Sequence, residues 1–266
     1  EMKDNVNRLT AIGLLTMTQA LAILPNWWIS WEPLPPDCQL PDDPVDNLDQ
    51  PILAAALREA LKMAERITPT MLIATNFGIS ATVNGELVIK APDWVYVPSV
   101  HPLPPGITRT SYTPQLDGDF PEIVMEFISK TPGGEYDTTP TFPYGKWFFY
   151  EQILQVPWYV IFNPATGAIE VYQFRAGRYR LQQPNEKKRY WLTPLKLFLG
   201  VWYGTDPGDS RTGYWLRWWD RFGKVLPWGS EQWAWARQEL QRERQEKEHE
   251  RQEKERERQE KELAWQ

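Results

Sequence analysis

PEIVMEFISKTP, residues 121–132, reads as a buried β-strand with one misfit. Ile123, Val124, Met125, Phe127 and Ile128 form an almost continuous apolar run, the pattern of a strand covered on both faces. Glu126 stands inside that run. An ionised carboxylate there is costly to desolvate unless something compensates its charge. APDWVYVPSV (91–100) raises the same question, because Asp93 opens an apolar strand directly after Pro92. Two carboxylates on neighbouring strands repel unless a cation sits between them. Mg²⁺ suits that place, since it prefers hard oxygen ligands and often takes only one or two carboxylates plus water and phosphate. Carboxylates with a lysine are the parts of a metal-dependent phosphodiesterase. Blander readings stay open at this point. Asp after Pro is a common strand-start feature, and Glu126 could be ion-paired or face solvent.

Outward from this strand, the chain alternates helix and strand signals. Residues 25–48 are rich in Pro and Asp and read as an extended lead-in, within a lead-in segment 1–44. A helix is expected from Pro51 to about Arg66, with Ile52, Leu53, Ala56, Leu57, Ala60, Leu61 and Ala64 on one face. Strand-like segments follow at 71–75, 79–85, 86–89 and 93–100, with Asn84-Gly85 as a hairpin turn. Residues 101–120 are loop. GKWFFYEQILQ (145–155) reads as a short helix ended by Pro157, and WYVIFN (158–163) as a buried strand. AIEVYQF (168–174) and RYRLQQ (178–183) flank Gly177 as a hairpin. This order predicts an α/β core around a mixed sheet flanked by helices, over residues 45–185.

Residues 186–230 read as an aromatic-rich appendage packed on the core, with GYWLRWWDRFGKVLPWG (213–229) at its centre. Its tryptophans are expected to be buried, with base stacking as the alternative. The tail, 231–266, repeats with a period of seven from Arg237. Between Leu240 and Leu263 it has no apolar position to form a coiled-coil seam. Glu243–Lys247, Glu250–Lys254 and Glu257–Lys261 are i,i+4 pairs that each stabilise a lone helix by about 0.2–0.5 kcal/mol. A solvated charged helix is the preferred reading, and weak oligomerisation the alternative.

Composition narrows the chemistry. Of 266 residues, 42% are apolar, enough for a real core. The net charge of −6 means that any contact with DNA needs a local basic face. Cys38 is the only cysteine, which suits a reducing, cytoplasmic setting and excludes a disulfide framework. With only His101 and His249 beside it, a zinc site of the usual N/S kind is excluded too. Residues 9–24 faintly resemble a signal peptide, but Thr and Gln interrupt the run and it is too short and polar to span a membrane. MTQALAIL from Met17 reads as a natural start, which would make residues 1–16 an upstream extension.

Several of these stretches together carry a family resemblance. LPDDPVDNLDQ (40–50), the Pro-Asp of APDWVYV, the Glu-x-x-Ser of PEIVMEFIS, and the Lys-x-x-x-Tyr helix and strand of GKWFFYEQILQVPWYVIFNP (145–164) occur in this order. As a set they resemble the Uma-two group of restriction-endonuclease-like proteins, common in cyanobacteria, within the PD-(D/E)XK nuclease superfamily. GYWLRWWDRFGKVLPWG and the charged tail also look like cyanobacterial members. The resemblance implies an Mg²⁺- (or Mn²⁺-) dependent endonuclease acting on DNA, with dimerisation where two strands are cut. It makes Asp93 and Glu126 the metal ligands, with the backbone carbonyl of Phe127 as a third. Glu59, Asp137 and Ser129 match accessory positions. The superfamily's usual lysine, two residues after the acidic ligand, is replaced by Ile128. Lys146, on the following helix with Tyr150 one turn away, is the best substitute, and Lys130 is the nearer alternative. Two rivals remain: a nuclease-fold DNA- or protein-binding module without turnover, and a structural protein acting through its tail.

Overall fold

The computed structural model describes residues 27–34, 49–129, 134–206, 208 and 211–264. The proposed start at Met17, most of LPDDPVDNLDQ and the alternative lysine, Lys130, lie outside these residues. In chain order the elements are β1 (Ile29–Ser30), α1 (Asp49–Met63), β2 (Leu72–Ala74), β3 (Ile79–Val83), β4 (Glu86–Lys90), β5 (Trp94–Val97) and β6 (Ile123–Phe127). A helical turn, α2 (Lys146–Phe148), runs into a π-helical turn, Phe149–Ile153. Then come β7 (Trp158–Asn163), β8 (Ala168–Arg175), β9 (Arg178–Leu181), β10 (Arg189–Leu192), β11 (Leu197–Thr205), β12 (Thr212–Trp219) and α3 (Gly229–Ala264).

The misfit strand β6 lies inside a six-stranded sheet ordered β2-β5-β6-β7-β8-β9. Only the β6–β7 pair is parallel, so the sheet is mixed, as the sequence predicts. Parallel neighbours need a crossover, and the segment containing α2 supplies it. The hairpins turn where φ is positive at two successive residues, Asn84-Gly85 and Ala176-Gly177. Both turns carry a glycine, which adopts that backbone without strain.

Strand alternation splits the core in two. Trp94, Tyr96, Ile123, Met125, Phe127, Val160 and Phe162 face α1 and the β10–β12 sheet. Val95, Val97, Val124, Tyr159 and Ile161 face the β3–β4 hairpin and the α2 segment. Glu126 shares its parity with Val124 and belongs to this second face. Leu53, Leu57 and Leu61 lie one helical turn apart on α1 and are fully buried against the first face, each worth about 1.5–3 kcal/mol. α1 starts at Asp49 and ends short of the expected Arg66. Glu65 is left-handed (φ 53°), and the Arg66 N–H reaches back to the Leu61 carbonyl at 2.9 Å, closing the helix in a C-cap.

The aromatic appendage is a three-stranded antiparallel sheet, β10-β11-β12, which the sequence reading did not resolve into strands. Trp215, Trp218 and Trp219 are buried, so they pack rather than stack bases. Trp218 Nε1 donates to the Leu57 carbonyl of α1 at 3.1 Å. Arg217 is 2% exposed, its guanidinium 3.6 Å from the Trp228 ring and 2.7 Å from the Glu231 carboxylate. This buried pair fastens the first turn of α3 to the body. From Trp233 to Lys261 the helix is exposed, matching the solvated-helix reading. Of its expected i,i+4 pairs, Glu257–Lys261 closes to 4.0 Å. No helix among the described residues is long and apolar enough to cross a membrane.

Candidate active site

The two carboxylates come together on one side of the sheet. The β5–β6 register pairs Trp94 with Met125 and Val95 with Val124, which sets Asp93, just before β5, opposite Glu126. The Phe127 N–H donates to Asp93 Oδ2 at 2.5 Å. Glu126 is 1% exposed and accepts two hydrogen bonds from the α2 segment. Lys146 Nζ lies 3.0 Å from Oε2, and the Tyr150 hydroxyl lies 2.8 Å from Oε1. Lys146 and Tyr150 are four residues apart and so share one helical face. Ile128 packs in the second-face cluster, and the ammonium arrives from the helix instead.

Burial dominates the electrostatics. Desolvation pushes Asp93 up to about 6 against the pull of the Phe127 N–H and Lys146, and Glu135 adds repulsion. Desolvation likewise pushes Glu126 up to about 8, with Lys146 pulling down and Asp93 pushing up. Lys146 stays above the ordinary lysine value, because Glu126 and Asp93 outweigh its burial. Both carboxyls are thus shifted by burial toward their protonated forms, Glu126 the further, and they titrate as a coupled pair beside the ammonium. Tyr150, fully buried beside Glu126, is held well above 10 and remains a donor.

Two residues that the sequence reading missed complete the surroundings. Gln50, in the first turn of α1, donates from Nε2 to the Phe127 carbonyl at 2.7 Å. A carbonyl has two lone pairs, so this bond fixes the group and leaves one acceptor direction. Glu135 is 8% exposed, and its charge acts on both Asp93 and Lys146. The buried Tyr159 hydroxyl anchors its backbone carbonyl at 2.8 Å. Gly145 lets this loop lie against the helix, since a Cβ there would meet the Asp137 carbonyl at 2.1 Å. Both additions are tertiary effects. An opening-turn Gln and a loop Glu after two glycines carry no local signal of burial.

The other expected residues sit elsewhere. Asp137 is exposed, and its carboxylate accepts from the Thr139 N–H at 2.9 Å and hydroxyl at 2.6 Å. These bonds hold it below the ordinary aspartate value. Glu59 accepts from the Gly229 N–H at 3.1 Å, at the start of α3. Ser129 lies half-buried two residues beyond Phe127.

The donor set is made of hard oxygens, with an excess of carboxyls over the single ammonium. Among the described residues no three His, Cys, Asp or Glu side chains come close enough to hold one ion. A two-carboxylate set with one carbonyl fits Mg²⁺, which completes its shell with water and phosphate. Two strand carboxylates and a lysine thus meet on a mixed α/β sheet. The chain belongs to the Uma2 family, described as "Putative restriction endonuclease", whose pattern matches residues 42–204, more than half of its length. No curated protein matches the chain.

Proposed function

We infer that this protein is an endonuclease that hydrolyses DNA phosphodiester bonds with Mg²⁺ or Mn²⁺. The observation that carries this reading is the convergence of Asp93, Glu126 and Lys146 on one face of the sheet. Asp93 and Glu126 would hold the ion, with the Phe127 carbonyl as a third ligand. When bound, a divalent ion acidifies water and draws charge from phosphoryl oxygens. Lys146 places positive charge where those oxygens become more negative, and preorganised charge of this kind is a large catalytic term. Tyr150 holds the orientation of Glu126, and Gln50 that of the Phe127 carbonyl. Cutting both strands of a duplex would take two such sites, one from each protomer of a dimer.

The test is cleavage of supercoiled and linear DNA with Mg²⁺ or Mn²⁺. Asp93→Ala and Glu126→Ala should abolish cutting, and Lys146→Met should slow it by about 10²–10³. Equal cutting by wild type and both carboxylate variants would remove the assigned site. DNA binding without cutting under either metal would favour the binding-module reading.

A further inference from the structure

The body of the protein is acidic, yet one end of the β10–β12 sheet is not. Two turns meet there, at the start of β10 and the end of β12. These two turns carry Lys187, Lys188, Arg189, Arg221 and Lys224 against only Glu186 and Asp220. Asp220 Oδ1 is engaged in its own turn, accepting the Phe222 and Lys224 N–H groups at 2.9 Å each. The turns converge at Gly223. A Cβ built on it would lie 3.5 Å from Arg189 Nη1 and 3.7 Å from Lys187 Nζ. Among the described residues, none of the five cations lies in an ion pair.

Aromatic rings are set among these charges. The Arg189 guanidinium lies 4.1 Å over the Trp219 ring, and Nη1 donates to the Gly223 carbonyl at 3.3 Å. Its plane is therefore fixed before any ligand arrives. Trp191 has the same strand parity as Arg189 and packs edge-on against Phe198, the cross-strand partner of Trp219. Trp191 is 36% exposed and Phe222, under the Arg221 guanidinium, is 79% exposed. Exposed rings interleaved with unpaired cations match the two needs of an unpaired nucleic-acid strand, stacking for bases and charge for phosphates. A lipid surface calls for a broader apolar rim, and the large exposed apolar side chains here are these two rings.

We propose that this end of the β10–β12 sheet is a binding surface for single-stranded nucleic acid, anchoring substrate outside the catalytic centre. It lies at the Trp219 end of β12. Beyond the other end of the strand, Arg211 pairs with Asp49 at 3.0 Å, next to Gln50 and the active site. The length of β12, roughly 23 Å from its rise per residue, separates the two ends. The patch thus holds a flanking stretch, not the reacting phosphodiester. The choice of DNA as ligand rests on the endonuclease reading, whereas the binding surface does not.

The experiment is fluorescence anisotropy with a labelled oligothymidylate and a matched duplex, in EDTA so that no cleavage intervenes. The double variant Lys187→Gln, Lys224→Gln changes only exposed side chains and should keep the wild-type melting midpoint. Losing two phosphate contacts should flatten the salt slope by about 1.4 and weaken single-strand binding about 25-fold near 0.1 M salt. Phe222→Ala should cost the single strand about tenfold and leave duplex binding unchanged. Wild-type affinity and salt slope in the double variant would overturn the proposal. So would a loss confined to anionic phosphatidylserine vesicles. Asp93→Ala separates the two readings: it should bind the oligonucleotide as wild type does, whether or not the wild type cuts.

Discussion

Glu126 holds its place in an apolar strand because donors meet both of its oxygens. Lys146 closes on one and Tyr150 on the other, leaving no lone acceptor in the buried site. The sequence exposes the problem but not its solution. A charged residue in an apolar run is visible locally, while partners 20 and 24 positions away are set by tertiary packing. Lys146 became a candidate through family resemblance, not through its spacing. Gln50 and Glu135 stayed hidden, because nothing near them in sequence marks them as buried. Asp137 drew notice instead, but its neighbour two positions earlier faces the carboxylate pair. Tyr150→Phe tests the bonding of Glu126 directly. It removes one donor without changing shape, leaves a carboxylate oxygen unsatisfied, and should cost about 1–3 kcal/mol. The expected result is a lower urea midpoint with an unchanged m-value. An unaltered midpoint would mean that the hydroxyl contributes nothing to holding Glu126.

At the level of elements, apolar runs and turn residues mark every strand of the six-stranded sheet. The β10–β12 sheet was less legible, since Trp and Tyr on both faces blur the alternation that marks a strand. The widening of the α2 helix into a π turn was not legible at all. It appears in the bond from the Leu154 N–H to the Phe149 carbonyl at 2.9 Å, a five-residue step. Such turns recur at functional sites, and this one follows the catalytic candidate Lys146 directly. The position of the helix depends on Gly145, which bonds to the Thr139 carbonyl at 3.0 Å while its Cα lies against the Asp137 carbonyl. Gly145→Ala forces helix and loop apart, which should cost about 1–3 kcal/mol and displace Lys146. DNA cleavage should fall more than stability alone explains. Gly177→Ala is the control. Its φ of 80° makes alanine strained by about 1–2 kcal/mol, but the new methyl meets nothing within 4 Å. That variant should melt earlier and still cut DNA at the wild-type rate at low temperature. Equal loss of cutting in both would show that Gly145 acts through general stability only.

For the whole molecule, the raised values of Asp93 and Glu126 predict a link between folding, pH and the proposed metal binding. Without metal, the folded-state values of about 6 and about 8 lie above the ordinary 3.8 and 4.5. The folded protein therefore binds more protons than the unfolded chain in between. Stability is fully present below about pH 4 from this source and falls as pH rises through the two folded values. The limiting slope is about 1.4 kcal/mol per pH unit for each carboxyl between its unfolded and folded values, and it fades once the folded group has ionised. A divalent ion held by these carboxylates, as proposed above, would oppose the trend by favouring their ionised forms. In EDTA, the melting midpoint should drop between about pH 5 and 8, the window set by these values. Asp93→Asn with Glu126→Gln should flatten that drop, because neither side chain then ionises. With saturating Mg²⁺ the wild type should regain midpoint most strongly at the alkaline end, and the double variant should not respond. Calorimetry in buffers of different ionisation enthalpy should show protons released on binding, approaching one near neutral pH. A metal-free midpoint independent of pH, or Mg²⁺ binding without proton release, would mean that burial does not raise these carboxyls and that the ion does not favour their ionised forms.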